Sequence, residues 1–476
     1  MDKRLQKILK DRGPIKKIGV IGMGYVGIPS AVIFANSTGY DFVWGFQRDS
    51  VPSGYKIDML NKGECPISGK EPGLQELIKK VVQEEKFRCT SNMIRIGDVD
   101  AVTIAVDTAF QDKDRLLADY DSLIDSLRKT GKHMAEGTLV VIESTVTPGT
   151  TEGIARDILE EESGMRAGID FFLAHAPERV MPGRLLKNIQ EYDRVVGGID
   201  DSSTERAREL YTPILTKGKV IPMSATAAEV SKTAENALRD LQIAAVNELA
   251  LYCENLGINF YDVKEAIDSL KGEGISRAVL FPGAGVGGHC LPKDSYHLVR
   301  ALAERGVRLD FSANSGSLFL LARSINDFMP RHMYNLTISA LEKVGQSPNG
   351  ARIGILGWAY NRNTDDPRNT PAEPYRNSML KRGAEVKIHD PYVKSYGDIH
   401  ISTDLDAVLG GMDVIAIFTA HDDYIDLDLD KIKRLSGKNC PVIVDGRNII
   451  DPDVAIKKGF VYRGVGRGDK NNQDFE

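Results

Sequence analysis

A chain of 476 residues is too long for one hydrophobic core, so two or three domains are expected. Hydrophobic residues make up 42% and charged residues 27%, the balance of an ordinary soluble globular protein, and no apolar run approaches the length of a spanning helix. The net charge of −6 excludes a general attraction to nucleic acid or to anionic membranes, while leaving room for a local basic pocket that takes a phosphate.

The N-terminal stretch "MDKRLQKILKDRGPIKK" is charged and amphipathic, and it lacks the apolar centre of a secretory signal. The five cysteines, Cys65, Cys89, Cys253, Cys290 and Cys440, are odd in number, widely spaced and without a CxxC. They read as reduced thiols of a cytoplasmic protein, with no disulfide framework and no structural metal.

The first third alternates short apolar runs with helical patterns. "KKIGVIGMG" (16–24) reads as a buried strand entering a glycine turn. "YDFVWGF", "DAVTIAV", "GTLVVIES", "DFFLAHAP" and "DRVVGGI" follow at βαβ spacing, the pattern of a parallel sheet with helices on both faces. From Thr226 to Leu256 there is no Gly or Pro, and the apolar residues fall at helical period, so one long helix is expected, ended by Gly257. A second long helical pattern runs from about Ser315 to Val344, with a kink expected near Pro330. "ARIGILGWAY", "AEVKIHDPY", "DVIAIFTAH", "PVIVDGR" and "FVYRGVG" then read as a second parallel sheet, and the polar tail "GRGDKNNQDFE" as frayed.

In "GVIGMGYVG", Gly22, Gly24 and Gly27 have GxGxxG spacing after a strand and at the opening of a helix. The first glycine permits the tight turn, the second lets a pyrophosphate reach the backbone, and the third lets helix pack on strand. Tyr25 and Val26 belong to the same turn, whose helix N-terminus favours phosphate. The acidic residue expected about 20 positions on is replaced by Gln47, followed by Arg48. Gln47 can still hydrogen-bond a ribose, and Arg48 can meet a 2′-phosphate. NAD is the expected cofactor, with NADP left open. The second sheet domain has no such glycine pattern, so its crevice suits another ligand, such as a nucleotide.

Cys290 stands in "GAGVGGHCLPKDSYHL" (283–298). Beside a hydride acceptor, a thiolate attacks an aldehyde to give a thiohemiacetal, whose oxidation gives a thioester and then a carboxylate. Lys293 is placed to favour the thiolate, and Asp294 to orient the thiol or a water. The glycines let backbone N–H groups approach a substrate or an oxyanion. A buried cysteine in a tight turn is the plain alternative.

The segments "GMGYVG", "ESTVTPGTT", "APERVMPG", "VSKTAEN", "GVGGHCLPKD" and "NTDDPRNTPA" together resemble the UDP-glucose/GDP-mannose dehydrogenase family, in its order and over residues 16 to about 450. The resemblance implies two Rossmann-like doubly wound domains joined by a long helix that also builds a homodimer. On this reading, residues 1–222 form the NAD-binding domain, 223–345 a central helical domain, and 346–476 a UDP-sugar-binding domain. The reaction implied is the oxidation of carbon 6 of a nucleotide sugar from alcohol to acid, with two NAD⁺, one cysteine and no metal, for polysaccharide assembly.

Roles follow by motif. Cys290 matches the nucleophile, and Lys232 with Asn236 the pair that stabilises the oxyanion; their i,i+4 spacing shares one helix face, otherwise an ordinary solvated face. Asp294 matches the acid–base or water-orienting aspartate, and Glu178 the glutamate that works on the hydrolytic water. Thr108 matches a threonine beside the nicotinamide, although Ala109 replaces the usual proline. Glu143, Ser144 and Thr145 match the loop at the nicotinamide ribose, and Lys293 and Arg368 match cofactor contacts. Arg179, Val180, Phe281, Gly283, Gly285, Gly287, Tyr360 and Arg447 fall where the family holds the sugar nucleotide, in a cleft between domains.

"PERVMPG" and "GGHC" resemble the branch acting on UDP-N-acetylhexosamines rather than the glucose branch's "PEFLxEG". Pro182 removes a carboxylate there, which leaves space for an acetamido group. Three alternatives stay open: a UDP-glucose or GDP-mannose 6-dehydrogenase, a two-electron hydroxy-acid dehydrogenase, and a sugar-nucleotide-binding regulator without catalysis.

Overall fold

The computed structural model describes residues 3–269, 279–307 and 317–471. The chain packs into two compact units, one of Met1–Glu235 with Tyr296–Arg308, the other of Asn236–Ser295 with Leu309–Glu476.

The first unit is built on an eight-stranded sheet. Its strands are β1 (Lys17–Ile21), β2 (Phe42–Phe46), β3 (Phe87–Thr90), β4 (Ala101–Ile104), β7 (Leu139–Ile142), β8 (Phe172–His175), β9 (Arg194–Gly198) and β10 (Val220–Ser224). A hairpin of β5 (Ala109–Asp112) and β6 (Leu117–Asp119) stands apart from it. The order across the sheet is β10-β9-β8-β7-β4-β1-β2-β3. Ile18, Val20, Val102, Leu139, Val141 and Leu173 are fully buried. Burying each such side chain contributes about 1.5–3 kcal/mol, which fixes the strands between two helical layers.

Parallel registers place Ile21 beside Ile104, Ile104 beside Ile142, and Ile142 beside His175. The residues that follow, Gly22, Ala105, Glu143 and Ala176, therefore line up along one end of the sheet. The expected all-parallel order fails at one pair: β9 runs antiparallel to β8, with His175 opposite Gly197. The connection between them carries "PERVMPG" and one short helix, Leu185–Glu191, packed on the Gly27–Asn36 helix. The chain thus re-enters the sheet at the end it left, and β9 starts there.

The second unit holds an all-parallel sheet of β11 (Arg352–Leu356), β12 (Glu385–His389), β15 (Val414–Ile417), β16 (Val442–Asp445) and β17 (Val461–Gly464), in the order β12-β11-β15-β16-β17. A two-stranded ribbon, β13 (Ser395–Tyr396) with β14 (Ile399–His400), lies outside it. Trp358, Tyr375 and Phe418 fill the core.

The long helix spans Ala225–Asn255, and Gly257 follows in the left-handed conformation at φ +70°, as a C-terminal glycine cap requires. The second long helix spans Leu318–Lys343 and runs unbroken through Pro330. The start expected at Ser315 lies outside the described residues. The tail, expected to fray, is held as far as Asn471: its amide takes the Tyr462 N–H (2.9 Å) and donates to the Tyr462 carbonyl (2.8 Å). A side-chain amide thus replaces a missing strand at the sheet edge. Residues 472–476 of that tail lie outside the described residues. Among the described residues, no helix is long and apolar enough to cross a membrane.

Candidate active site

The end of β1 sets the first half of the site. Gly22 has φ +99°, and a Cβ there would lie 2.4 Å from the Ala105 carbonyl oxygen. A Cβ on Gly27 would lie 1.9 Å from the Gly22 carbonyl oxygen, so only glycine lets the Gly27–Asn36 helix seat on the turn. Gly24 differs: nothing lies within 4 Å of where its Cβ would be. The turn walls an open pocket of about 610 Å³, lined also by Met23, Gln47, Arg48, Ser53 and Lys56. A bare backbone at the mouth of a helix N-terminus fits a pyrophosphate. Tyr25 and Val26 are half-buried beside it.

Gln47 braces this turn. Its Oε1 accepts the Met23 N–H (3.0 Å) and its Nε2 donates to Ser53 Oγ (2.9 Å). Arg48 is exposed and pairs with Asp125 at 3.2 Å. Lys56, which the motif does not point to, donates from Nζ to the Met23 carbonyl at 3.0 Å and places a cation in the pocket wall.

The aligned strand ends bring the next residues together. Thr108 Oγ1 donates to the Thr145 carbonyl at 2.5 Å, and Ser144 Oγ donates to the Val106 carbonyl at 2.7 Å. Glu143 is buried. Its Oε1 takes Arg194 Nη2 at 2.6 Å and the Tyr211 hydroxyl at 2.7 Å. Glu178 also ends on Arg194, and its Oε1 accepts the Arg179 N–H at 2.8 Å. The loop 147–151 is pinned by Glu229, which accepts from Thr151 N (2.8 Å), Thr151 Oγ1 (2.7 Å) and Gly149 N (2.5 Å). Burial pushes that carboxyl up to about 7 against these donors.

The "PERVMPG" loop is tied down on both sides. Arg179 pairs with Glu235 at 3.2 Å, and Val180 packs partly buried against the core. Met181 N donates to Asn188 Oδ1 at 2.9 Å, and Leu185 N to Glu71 Oε2 at 3.2 Å. Lys232 is buried on the Ala225–Asn255 helix.

In the second unit Cys290 is half-buried and directly precedes the Leu291–Ala303 helix. The partial positive charge of that N-terminus stabilises an anion at this position. The Cys290 carbonyl accepts the N–H groups of Lys293 and Asp294, both at 3.0 Å. Asp294 is fully buried; its Oδ2 accepts from Asn236 Nδ2 at 2.5 Å, and its Oδ1 lies 3.5 Å from Lys293 Nζ. Cys290, Asn236, Lys293 and Asp294 thus form one linked set.

The glycines before Cys290 let this run pack closely against its neighbours. Gly283 to Gly288 are buried, and three of their N–H groups bond to neighbouring segments. Gly283 N donates to Asn247 Oδ1 (2.9 Å), Ala284 N to the Gly446 carbonyl (3.2 Å), and Gly288 N to the Arg368 carbonyl (2.8 Å). A Cβ on Gly287 would sit 2.5 Å from the Asn369 carbonyl oxygen, and Gly285 holds φ +127°. Close approach of two backbones explains the glycines. Around this run, Arg447 Nε donates to the Phe418 carbonyl at 2.6 Å and its guanidinium stands over the Tyr360 ring. Arg368 grips Asp366 through two bonds, 2.7 and 2.8 Å. Phe281 is exposed, with Lys264 4.5 Å over its ring.

Comparison with known proteins gives one consistent set of matches. Residues 16–215, 226–318 and 354–452 match the NAD binding, central and UDP binding domains of the UDP-glucose/GDP-mannose dehydrogenase family. The chain is 38% identical to the UDP-N-acetyl-D-mannosamine dehydrogenase of Pyrococcus horikoshii, over 95% of this chain and 100% of that protein. It is similar to a crystal structure of NDP-N-acetyl-D-galactosaminuronic acid dehydrogenase from Methanosarcina mazei Go1, at 58% identity and a TM-score of 0.86, covering 100% of both chains. A UDP-glucose dehydrogenase structure from Pyrobaculum islandicum is 29% identical with a TM-score of 0.79, over 95% of this chain and 98% of that one.

Proposed function

The chain belongs to the UDP-glucose/GDP-mannose dehydrogenase family, and on that footing we propose that it oxidises carbon 6 of a UDP-N-acetylhexosamine to the acid in two steps. The linked set of Cys290, Asn236 and Asp294 carries the reading. NAD⁺, held by Gly22, Gly24 and Gly27, supplies the hydride acceptor. Cys290 adds to the aldehyde carbon, and Lys232 with Asn236 stabilises the oxygen as it gains charge. Asp294 holds Asn236 in place and can exchange a proton with the substrate oxygen. Glu178 takes the proton of the water that hydrolyses the thioester. Arg179, Val180, Phe281, Gly283, Gly285, Gly287, Tyr360 and Arg447 hold the sugar nucleotide, and Lys293, Arg368, Thr108, Glu143 and Thr145 complete the cofactor's surroundings.

The N-acetylated sugar is favoured by Pro182 and by the relatives named for N-acetylhexosamine substrates or products. A panel of UDP-glucose, three UDP-N-acetylhexosamines and GDP-mannose, each with NAD⁺ and NADP⁺, tests the reading. Two NADH per sugar and a carboxylate product are expected with an N-acetylhexosamine. One NADH per sugar, with an aldehyde left over, overturns the four-electron reading. No NADH from any sugar favours a binding regulator.

A homodimer through the Ala225–Asn255 helix is part of the same proposal. Leu238, Leu249 and Tyr252 are exposed on it at helical spacing, with Leu256 exposed just past its end, an apolar stripe that water does not favour. Sedimentation should give twice the 52.3 kDa chain mass. A single-chain mass at assay concentration removes the dimer.

A further inference from the structure

We propose that Arg194 is the positioning residue of the hydrolytic step, holding Glu178 as an oriented carboxylate for the water that cleaves the Cys290 thioester. This rests on the role proposed for Glu178. Nothing in the family resemblance pointed to Arg194, which reads in the sequence only as the start of a strand.

The sheet topology puts it there. β9 runs antiparallel to β8 with His175 opposite Gly197. Continued three residues on, that register sets Arg194 opposite Glu178. A parallel β9 would have carried its first residue to the far end of the sheet. Arg194 is 4% exposed, and its guanidinium serves both acids: Nη2 to Glu143 Oε1 at 2.6 Å, Nη1 to Glu178 Oε2. Nη2 also donates to the Ala176 carbonyl at 3.0 Å, and the guanidinium stacks 4.2 Å over the Tyr211 ring. A planar fork stacked on an aromatic face has one orientation, so the Glu178 carboxylate inherits it.

The charge balance gives Arg194 more than a packing role. Glu143, from the end of β7, and Glu178, after β8, share this cation, the one that pairs with either among the described residues. His175 on β8 is fully buried, and burial followed by the charge of Arg194 depresses it to about 3, so it adds no second cation. Tyr211, at the end of the Asp201–Tyr211 helix, is neutral, with burial holding its hydroxyl well above the ordinary tyrosine range. Without Arg194, two buried carboxylates would face each other, and one would take a proton. A protonated Glu178 cannot act as a base.

The step itself balances. Water oxygen bonds to the thioester carbon, its proton passes to Glu178, and the C–S bond breaks to release the Cys290 thiolate and the acid. No further oxidant is required, because both hydrides have already left the carbon.

The test follows the thioester in the full chain. Arg194→Met, Arg194→Lys, Glu178→Gln and the Arg194→Met/Glu178→Gln double variant are mixed with UDP-N-acetylhexosamine and NAD⁺, quenched, and weighed intact. Arg194→Met should lower kcat by about 100-fold, the low end for losing a positioned base, with KM held within about threefold. It should release a burst of two NADH and accumulate the acyl adduct on Cys290. Arg194→Lys should restore part of kcat, and the double variant should be no slower than Glu178→Gln. A folded Arg194→Met that is slow without adduct overturns the inference, as does a double variant slower than either single one. If Arg194→Met does not fold, Arg194→Lys decides: partial adduct supports the inference and none overturns it. Absence of adduct in Glu178→Gln overturns the role of Glu178 and this inference with it; adduct there and none in the Arg194 variants overturns the Arg194 inference alone.

Discussion

Cys290→Ala is expected to abolish acid formation, lowering four-electron turnover by about 10⁴-fold or more, the scale on which loss of a covalent nucleophile acts. The reason is chemical rather than structural. An aldehyde has no good hydride to give until a nucleophile has added to it, and in the proposed mechanism the thiohemiacetal on Cys290 supplies that form. The residue is half-buried ahead of a helix, so alanine leaves the backbone unchanged, and thermal stability should move little. Cys290→Ser tests the sulfur itself: a hydroxyl has the same reach and a far weaker nucleophile, so it should fail nearly as badly. Asn236→Ala should slow the same step less, because Lys232 remains. Normal turnover of Cys290→Ser would remove the covalent mechanism and return the chain to a two-electron dehydrogenase.

What the sequence made legible was local. GxGxxG could be read because each glycine's reason lies within a few residues: a turn at Gly22, an open side at Gly24, a helix contact at Gly27. The long helix could be read from periodicity and from Gly257. Arg194 could not, since its meaning depends on the direction of β9 relative to β8, and "DRVVGGI" carries no mark of direction. The hairpin β5–β6 is not legible in the sequence for a local reason: its turn places Leu116 at φ +55°, a residue that does not advertise a turn. The glycines of 283–288 are visible in the sequence, but only part of their reason is. Glycine before a reactive group suggests exposed N–H donors, and here Asn247, Gly446 and Arg368 take those of Gly283, Ala284 and Gly288. Glycine marks a close approach, and the sequence does not say of what.

Loss of the buried Arg323–Asp240 pair should have the largest effect on stability. The two are held at 2.5 Å between the Ala225–Asn255 and Leu318–Lys343 helices, and neither side chain is open to water. Arg323→Met leaves Asp240 buried without its cation, which costs about 3–5 kcal/mol. That should lower the melting transition of the second unit by roughly 10 °C. Burial raises the Asp240 carboxyl and Arg323 pulls it down, so removing Arg323 leaves burial to dominate. A carboxyl whose folded pKa exceeds its unfolded one binds more protons in the folded state. The deficit of Arg323→Met should therefore shrink as pH falls toward the ordinary aspartate value of 3.8. Adding Asp240→Asn removes the stranded charge and keeps Oδ1 as the acceptor for Asn326, which donates to it at 2.8 Å. The double variant should recover part of the loss and show no such pH dependence. The effect should also reach the loop proposed to hold the sugar nucleotide, because Asn326 takes Asn247 Nδ2 at 2.8 Å and Asn247 holds Gly283 N at 2.9 Å. KM for the sugar nucleotide should rise in Arg323→Met while the KM for NAD⁺ stays near the parent value. A melt within about 2 °C of the parent protein would show that the pair contributes no more than about 1 kcal/mol, and the relay to Gly283 would lose its support with it.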